Sequence, residues 1–112
     1  MTFRDIQDSL NCTIIVETDN FDETEIEHIV AGDLMSEVLV AEEDQMLLVS
    51  SLTSDQVVRT AHIVDALGIL LVNDKTPLSS TIKLARDFNL NLISIDMPMF
   101  EACAALDKIF QK

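Results

Sequence analysis

The residues best suited to chemistry in this sequence lie in three short polar runs, each following a block of branched apolar residues. The runs are Ser50-Ser51-Leu52-Thr53-Ser54, Asn73-Asp74-Lys75-Thr76-Pro77 and Asp96-Met97-Pro98. Hydroxyls and free backbone N–H groups hold phosphate oxygens. The amide and carboxylates fix hydroxyls or amines, and one ammonium offsets anionic charge. Ser50, Thr53, Ser54, Asn73, Asp74, Lys75 and Asp96 are therefore the candidate ligand-binding set, for a small polar molecule such as a nucleotide. The same residue types also serve caps and turns, which is the structural alternative.

A second chemistry is open to the same positions. Asp96 would accept a phosphoryl group or bind a metal, Lys75 would stabilise the developing charge, and Asp74 would assist. The usual phosphate loops are absent, because the chain holds only two glycines, Gly32 and Gly68. Neither GxGxxG nor GxxxxGK[ST] can be written, nor the GxSxG turn of a serine hydrolase. Cys12 and Cys103 form no CxxC and have no histidine at zinc spacing, so they read as buried thiols. The acid-rich stretch Glu17 to Glu27 lacks the central glycine of a calcium loop and reads as a solvated loop or edge. His28 falls in an alternating stretch and His62 on a polar helix face beside Arg59 and Asp65. Neither has a Ser or Cys partner at a defensible spacing. The expectation is no catalytic residue, no metal and no cofactor.

The elements that must position the three polar runs repeat about every 23 residues. Met46 to Val49, Ile69 to Val72 and Leu92 to Ile95 read as strands buried on both faces. After the first, Val57, Ala61, Val64 and Leu67 mark one face of a helix, with Thr53 or Ser54 as its N-cap and Gly68 as its left-handed stop. The second helix should begin near Leu78 to Ser80 and bury Ile82, Ala85 and Phe88. The third should begin near Pro98 and bury Met99, Cys103, Leu106 and Phe110. Crossovers of this length make neighbouring strands parallel and bring the three polar runs to one rim. Upstream, Thr2 caps a helix through Leu10, Cys12 to Val16 and Glu27 to Val30 are strands of unreadable order, and a helical turn follows Gly32. The fold class is α/β, a small mostly parallel sheet flanked by helices, in a single domain over residues 1–112.

Composition bounds the role. Of 112 residues 48% are apolar, too many for a disordered chain. Twenty acids against seven bases give a net charge of −13, which repels nucleic acid. Residues 1–45 hold thirteen acids and only Arg4 as a base, whereas the remainder is nearly balanced. That asymmetry suits docking on a basic protein, with binding that weakens steeply in salt. No apolar run approaches the roughly 20 residues needed to cross a bilayer. The first ten residues lack the basic and apolar regions of a signal peptide. A cytoplasmic protein without membrane contact is expected.

Gly32-Asp33-Leu34-Met35-Ser36 places a glycine, an acid and two large apolar residues inside a charged region. It reads either as a turn whose Leu34 and Met35 dock under the sheet or as a subunit contact. The run Ala31 to Leu39, then Gln56-Val57-Val58-Arg59-Thr60-Ala61, the strand Ile69 to Val72 and Met99-Phe100-Glu101-Ala102 together resemble the DRTGG domain family. The likeness spans nearly the whole chain. It implies the fold of the HPr kinase/phosphorylase N-terminal domain and a regulatory role in ligand sensing or subunit association, with no catalytic residues. The Asp-Arg-Thr-Gly-Gly signature itself is missing, and acid-rich Asp22 to Ile29 stands where its counterpart is expected. The combined reading is a non-catalytic regulatory or interaction domain, a homodimer or other homo-oligomer, sensing an adenine nucleotide at the strand ends. Gly32 to Ser36 would form the subunit contact. The alternative is the phosphoryl-accepting module described above.

Overall fold

The computed structural model describes residues 1–111. In chain order the elements are α1 (Phe3–Leu10), β1 (Thr13–Val16), β2 (His28–Ala31), α2 (Met35–Val38) and β3 (Met46–Ser50). They continue with α3 (Asp55–Ile63), β4 (Gly68–Leu71), α4 (Ser79–Asp87), β5 (Asn91–Ser94) and α5 (Met99–Phe110). One five-stranded sheet has the order β1-β5-β4-β3-β2; β2 to β5 run parallel and β1 pairs antiparallel with β5.

Alternation along β3, β4 and β5 sends side chains to two apolar layers, which is why every residue of these strands is buried. Met46, Leu48, Ile69, Leu71 and Leu92 face α2, α3 and α4. Leu47, Val49, Leu70 and Ile93 face α1, α5 and the acidic loop, whose Phe21 and Ile26 are buried. The acid-rich segment is tied to α1 as well: Arg4 pairs with Glu17 and with Asp22, and its guanidinium lies 4.8 Å from the Phe21 ring centre. Phe21 stacks on Phe3 at 5.7 Å. Thr2 caps α1 as the sequence suggests, in a reciprocal capping box with Asp5.

Several local expectations are corrected. Gly68 does not end α3. That helix stops at Ile63, with Asp65 in the left-handed region at φ 58° and the Ala66 N–H returning to the Ala61 carbonyl. Asn89 closes α4 in the same way, with Leu90 returning to Ala85. Gly68 opens β4 instead, where an added Cβ would stand 2.5 Å from the Asn91 carbonyl oxygen and 2.6 Å from the Phe3 ring. It is a glycine for close packing rather than for a turn. Ser54 holds the N-cap position of α3 with extended backbone, but neither its hydroxyl nor that of Thr53 caps the helix. In α5 the buried residues are Ala102 and Leu106; Met99 and Cys103 are half-buried and Phe110 is exposed, lining an open groove beside β2 rather than the core. In and beyond α4, Ala85 is buried as expected, Ile82 and Phe88 are half-buried, and Thr81 is buried with its hydroxyl donating to Asp55 at 2.7 Å.

Candidate functional site

The parallel register places Val49 beside Leu70 and Leu70 beside Ile93, so the turns after β3, β4 and β5 emerge on one rim. Those turns carry Ser50, Thr53, Ser54, Asn73, Asp74, Lys75 and Asp96. The turn after β2 brings Asp33 to the same rim, a residue the sequence placed in a subunit contact.

Asp33 is the best-connected group there. Its carboxylate accepts the Ser50 hydroxyl at 2.8 Å, the Ser51 N–H at 2.7 Å and the Ser51 hydroxyl. Ser50 is fully buried, and its oxygen also accepts the Leu52 N–H at 3.3 Å. Partial burial alone would raise the Asp33 pKa. The hydrogen bonds from Ser51 and Ser50, with attraction to Lys75, outweigh it and hold the carboxyl below its usual range. The clamp joins the ends of β2 and β3 and uses Ser50 and Ser51 internally.

The other candidates stand differently. Asn73, Asp74, Lys75, Ser54 and Asp96 are exposed and Thr53 is half-buried. Asn73 and Asp74 both adopt the left-handed region, at φ 61° and 53°. That conformation lets the Asn73 N–H reach the Met97 carbonyl at 2.7 Å and the Asp74 N–H reach the Ile95 carbonyl at 2.9 Å. The chain leaves β4 for α4 on one face and β5 for α5 on the other, a divergence that opens a ligand crevice in many α/β sheets. Here two backbone hydrogen bonds close it. The rim therefore offers a shallow surface, with hydroxyls of Thr53 and Ser54 at the head of α3, the Lys75 ammonium, and the carboxylates of Asp74 and Asp96.

The Gly32 to Ser36 segment divides. Met35 is 4% exposed and packs in the core with Val38, which removes its side chain from any contact surface. Leu34 is 58% exposed, against the expectation that it docks under the sheet. Leu39 and Val40, just beyond α2, are exposed with it.

Two features escaped sequence reasoning. A cleft of about 560 Å³ opens at the opposite rim, lined among others by Asp44, His62, Asp65, Phe88 and Asn89, where the His62 ring stacks on Phe88 at 3.9 Å. Beside it Asn91 is fully buried and satisfied. Its side-chain oxygen accepts the Thr18 N–H and hydroxyl at 2.9 Å each, and its amide donates to Asn20 at 2.7 Å and to the Leu67 carbonyl at 3.3 Å. An amide opening a strand whose next two residues are Leu92 and Ile93 was the available signal. Among the described residues no group of three or more His, Cys, Asp or Glu side chains is arranged to hold a metal ion, and no helix is long and apolar enough to cross a membrane.

The sequence matches no protein-family profile and no curated protein. Among solved structures the fold is similar to the CBS and DRTGG domains of the regulatory region of Clostridium perfringens pyrophosphatase, a structure complexed with the activator diadenosine tetraphosphate. The TM-score is 0.70 at 16% identity, over 98% of this chain and 46% of that one. The chain thus has the mixed α/β architecture found in that regulatory region, and spans about half its length.

Proposed function

We propose that this chain is a non-catalytic regulatory domain, of the DRTGG kind, that senses a small adenine nucleotide at the rim of its parallel strands. The observation that carries this reading is the convergence of the three strand-to-helix turns, with Thr53 and Ser54 at the head of α3 and Lys75 on the same rim, near enough to Asp33 to lower its pKa. The fold it shares with a nucleotide-activated regulatory region supports it. One ammonium and one helix start, whose first turn also carries the Asp55 carboxylate, suit no more than a single phosphate. The neighbouring Asp74 and Asp96 carboxylates suit ribose hydroxyls and a base amine, and they repel a longer polyphosphate. A nucleoside monophosphate is the expected ligand.

The same reading makes the domain a homo-oligomer, with Leu34, Leu39 and Val40 around α2 as the subunit contact. Gly32 and Asp33 then hold the loop, and Ser36 lies at its exposed side. Isothermal titration with AMP, ADP, ATP and diadenosine tetraphosphate tests the binding. AMP should bind more tightly than ATP, and Lys75→Glu should weaken it. No heat from any member at millimolar concentration overturns the ligand reading.

A further inference from the structure

The free edge of β2 and the C-terminal half of α5 form a groove of about 440 Å³ that the rim does not involve. The backbone of β2 decides what fits. In a parallel pair the N–H and C=O groups of alternate residues point to the same neighbour. The His28 and Gly32 N–H groups donate to the β3 side, to Gln45 and Val49 carbonyls at 3.3 and 2.9 Å. Ile29 and Ala31 therefore direct both backbone groups outward, spaced as one repeat of an extended chain.

The groove beside them is apolar at its floor, where Ile29, Ala31, Cys103 and Phe110 meet. Carboxylates of Glu27, Glu43 and Asp107 border it, and no lysine or arginine is among the described residues that line it. His28 answers Glu43 at 3.1 Å when protonated, and the Gln111 amide donates to Asp107 at 3.0 Å, so no cation of the groove's own lining offsets the Glu27 and Asp107 charges. This charge disfavours a second copy of an already acidic chain at this edge and favours a cationic segment.

We propose that the β2 edge docks an extended segment of another protein, apolar at alternate positions and flanked by lysine or arginine. The segment adds a sixth strand through the backbone of Ile29 and Ala31. Its apolar side chains cover Phe110 and Cys103, and its cations meet Glu27, Glu43 and Asp107.

Fluorescence anisotropy with a labelled peptide alternating valine and lysine, and with its glutamate counterpart, tests this on the full chain. The lysine peptide should bind saturably, lose about tenfold or more in affinity between roughly 20 and 500 mM salt, and outcompete the glutamate peptide. Ala31→Pro removes an outward N–H without touching the β3 pairing and should weaken binding about tenfold. The pair Glu43→Lys and Asp107→Lys should do the same while leaving the backbone intact, which covers the case of an unfolded proline variant. Equal binding of both peptides overturns the proposal, as does wild-type affinity in the charge-reversed pair. So does no saturation by the lysine peptide at about 1 mM. A wild-type dimer in sedimentation that becomes monomeric in the charge-reversed pair or in Ala31→Pro assigns the edge to a second copy and also overturns it.

Discussion

The carboxylate of Asp33, just past β2, accepts the hydroxyl of Ser50, the last residue of β3, at 2.8 Å. Two neighbouring parallel strands are thereby tied at the end where the chain turns away. Asp33→Ala should lower stability by about 1 kcal/mol, the modest end for a charge-assisted bond because Asp33 itself is exposed. Thermal denaturation checks the size. Its pH dependence checks the cause. The Asp33 pKa is depressed below its ordinary 3.8, so the contribution is present above that value and lost as pH falls through the lower folded one. The wild-type advantage over Asp33→Ala should therefore disappear only in strong acid.

His28 titrates in the opposite sense. Its Nδ1 donates to the Asp44 carbonyl at 2.7 Å, which raises its pKa first, and attraction to Glu43 raises it further. Stability from the imidazolium is present below about 6.5 and lost as pH rises through the higher folded value. NMR titration of the His28 ring should show a midpoint above 6.5, and His28→Asn should match the wild type in stability at pH 9.

Asn91 is a buried polar residue with four hydrogen bonds to lose. Asn91→Ala would remove the acceptor of the Thr18 N–H and the donor to Asn20 at a part-buried site that borders the cleft, where water and the Thr18 hydroxyl replace only some of those bonds, a loss of about 1–2 kcal/mol in urea denaturation. Asn91→Leu should be no better, since it restores volume but no hydrogen bond.

Gly68→Ala tests the close packing between β4 and β5. The added methyl meets backbone at 2.5 Å, which cannot give way without shifting a central strand pair. A cost of about 1–3 kcal/mol is expected. If glycine served there as a helix stop, as its place in the sequence suggests, the change would matter only through backbone conformation.

The thiols should be slow nucleophiles. Burial raises the Cys12 pKa to about 11 and pushes Cys103 up as well. In a timed reaction with a disulfide reagent at pH 8, Cys103 should react before Cys12, and Cys12 only as the protein opens.

The repeated strand and helix units were legible because blocks such as Ile69 to Val72 have one physical solution, a strand covered on both sides. The meeting of Asp33 with Ser50 was not, because it depends on β2 lying beside β3, and no local pattern specifies sheet order. Asp65 and Asn89 show a different loss: each takes the left-handed role usually read from glycine, which short polar side chains tolerate. Leu34 and Met35 are both large and apolar, yet one is exposed and the other buried, since Leu34 is the extended N-cap of α2 while Met35 opens the turn that faces the core. Of the candidate rim residues, their shared edge was readable from the repeat. The backbone zipper from Asn73 and Asp74 to the β5 turn was beyond it.

The antiparallel seam between β1 and β5 joins residues about 80 positions apart, Thr13 with Ser94. Each parallel pair from β2 to β5 closes over a span several times shorter. Chain closure of that length is entropically the dearest step in the topology. Closure entropy thus favours assembly of the four parallel strands ahead of the first sixteen residues, with β1 as a clasp on the sheet.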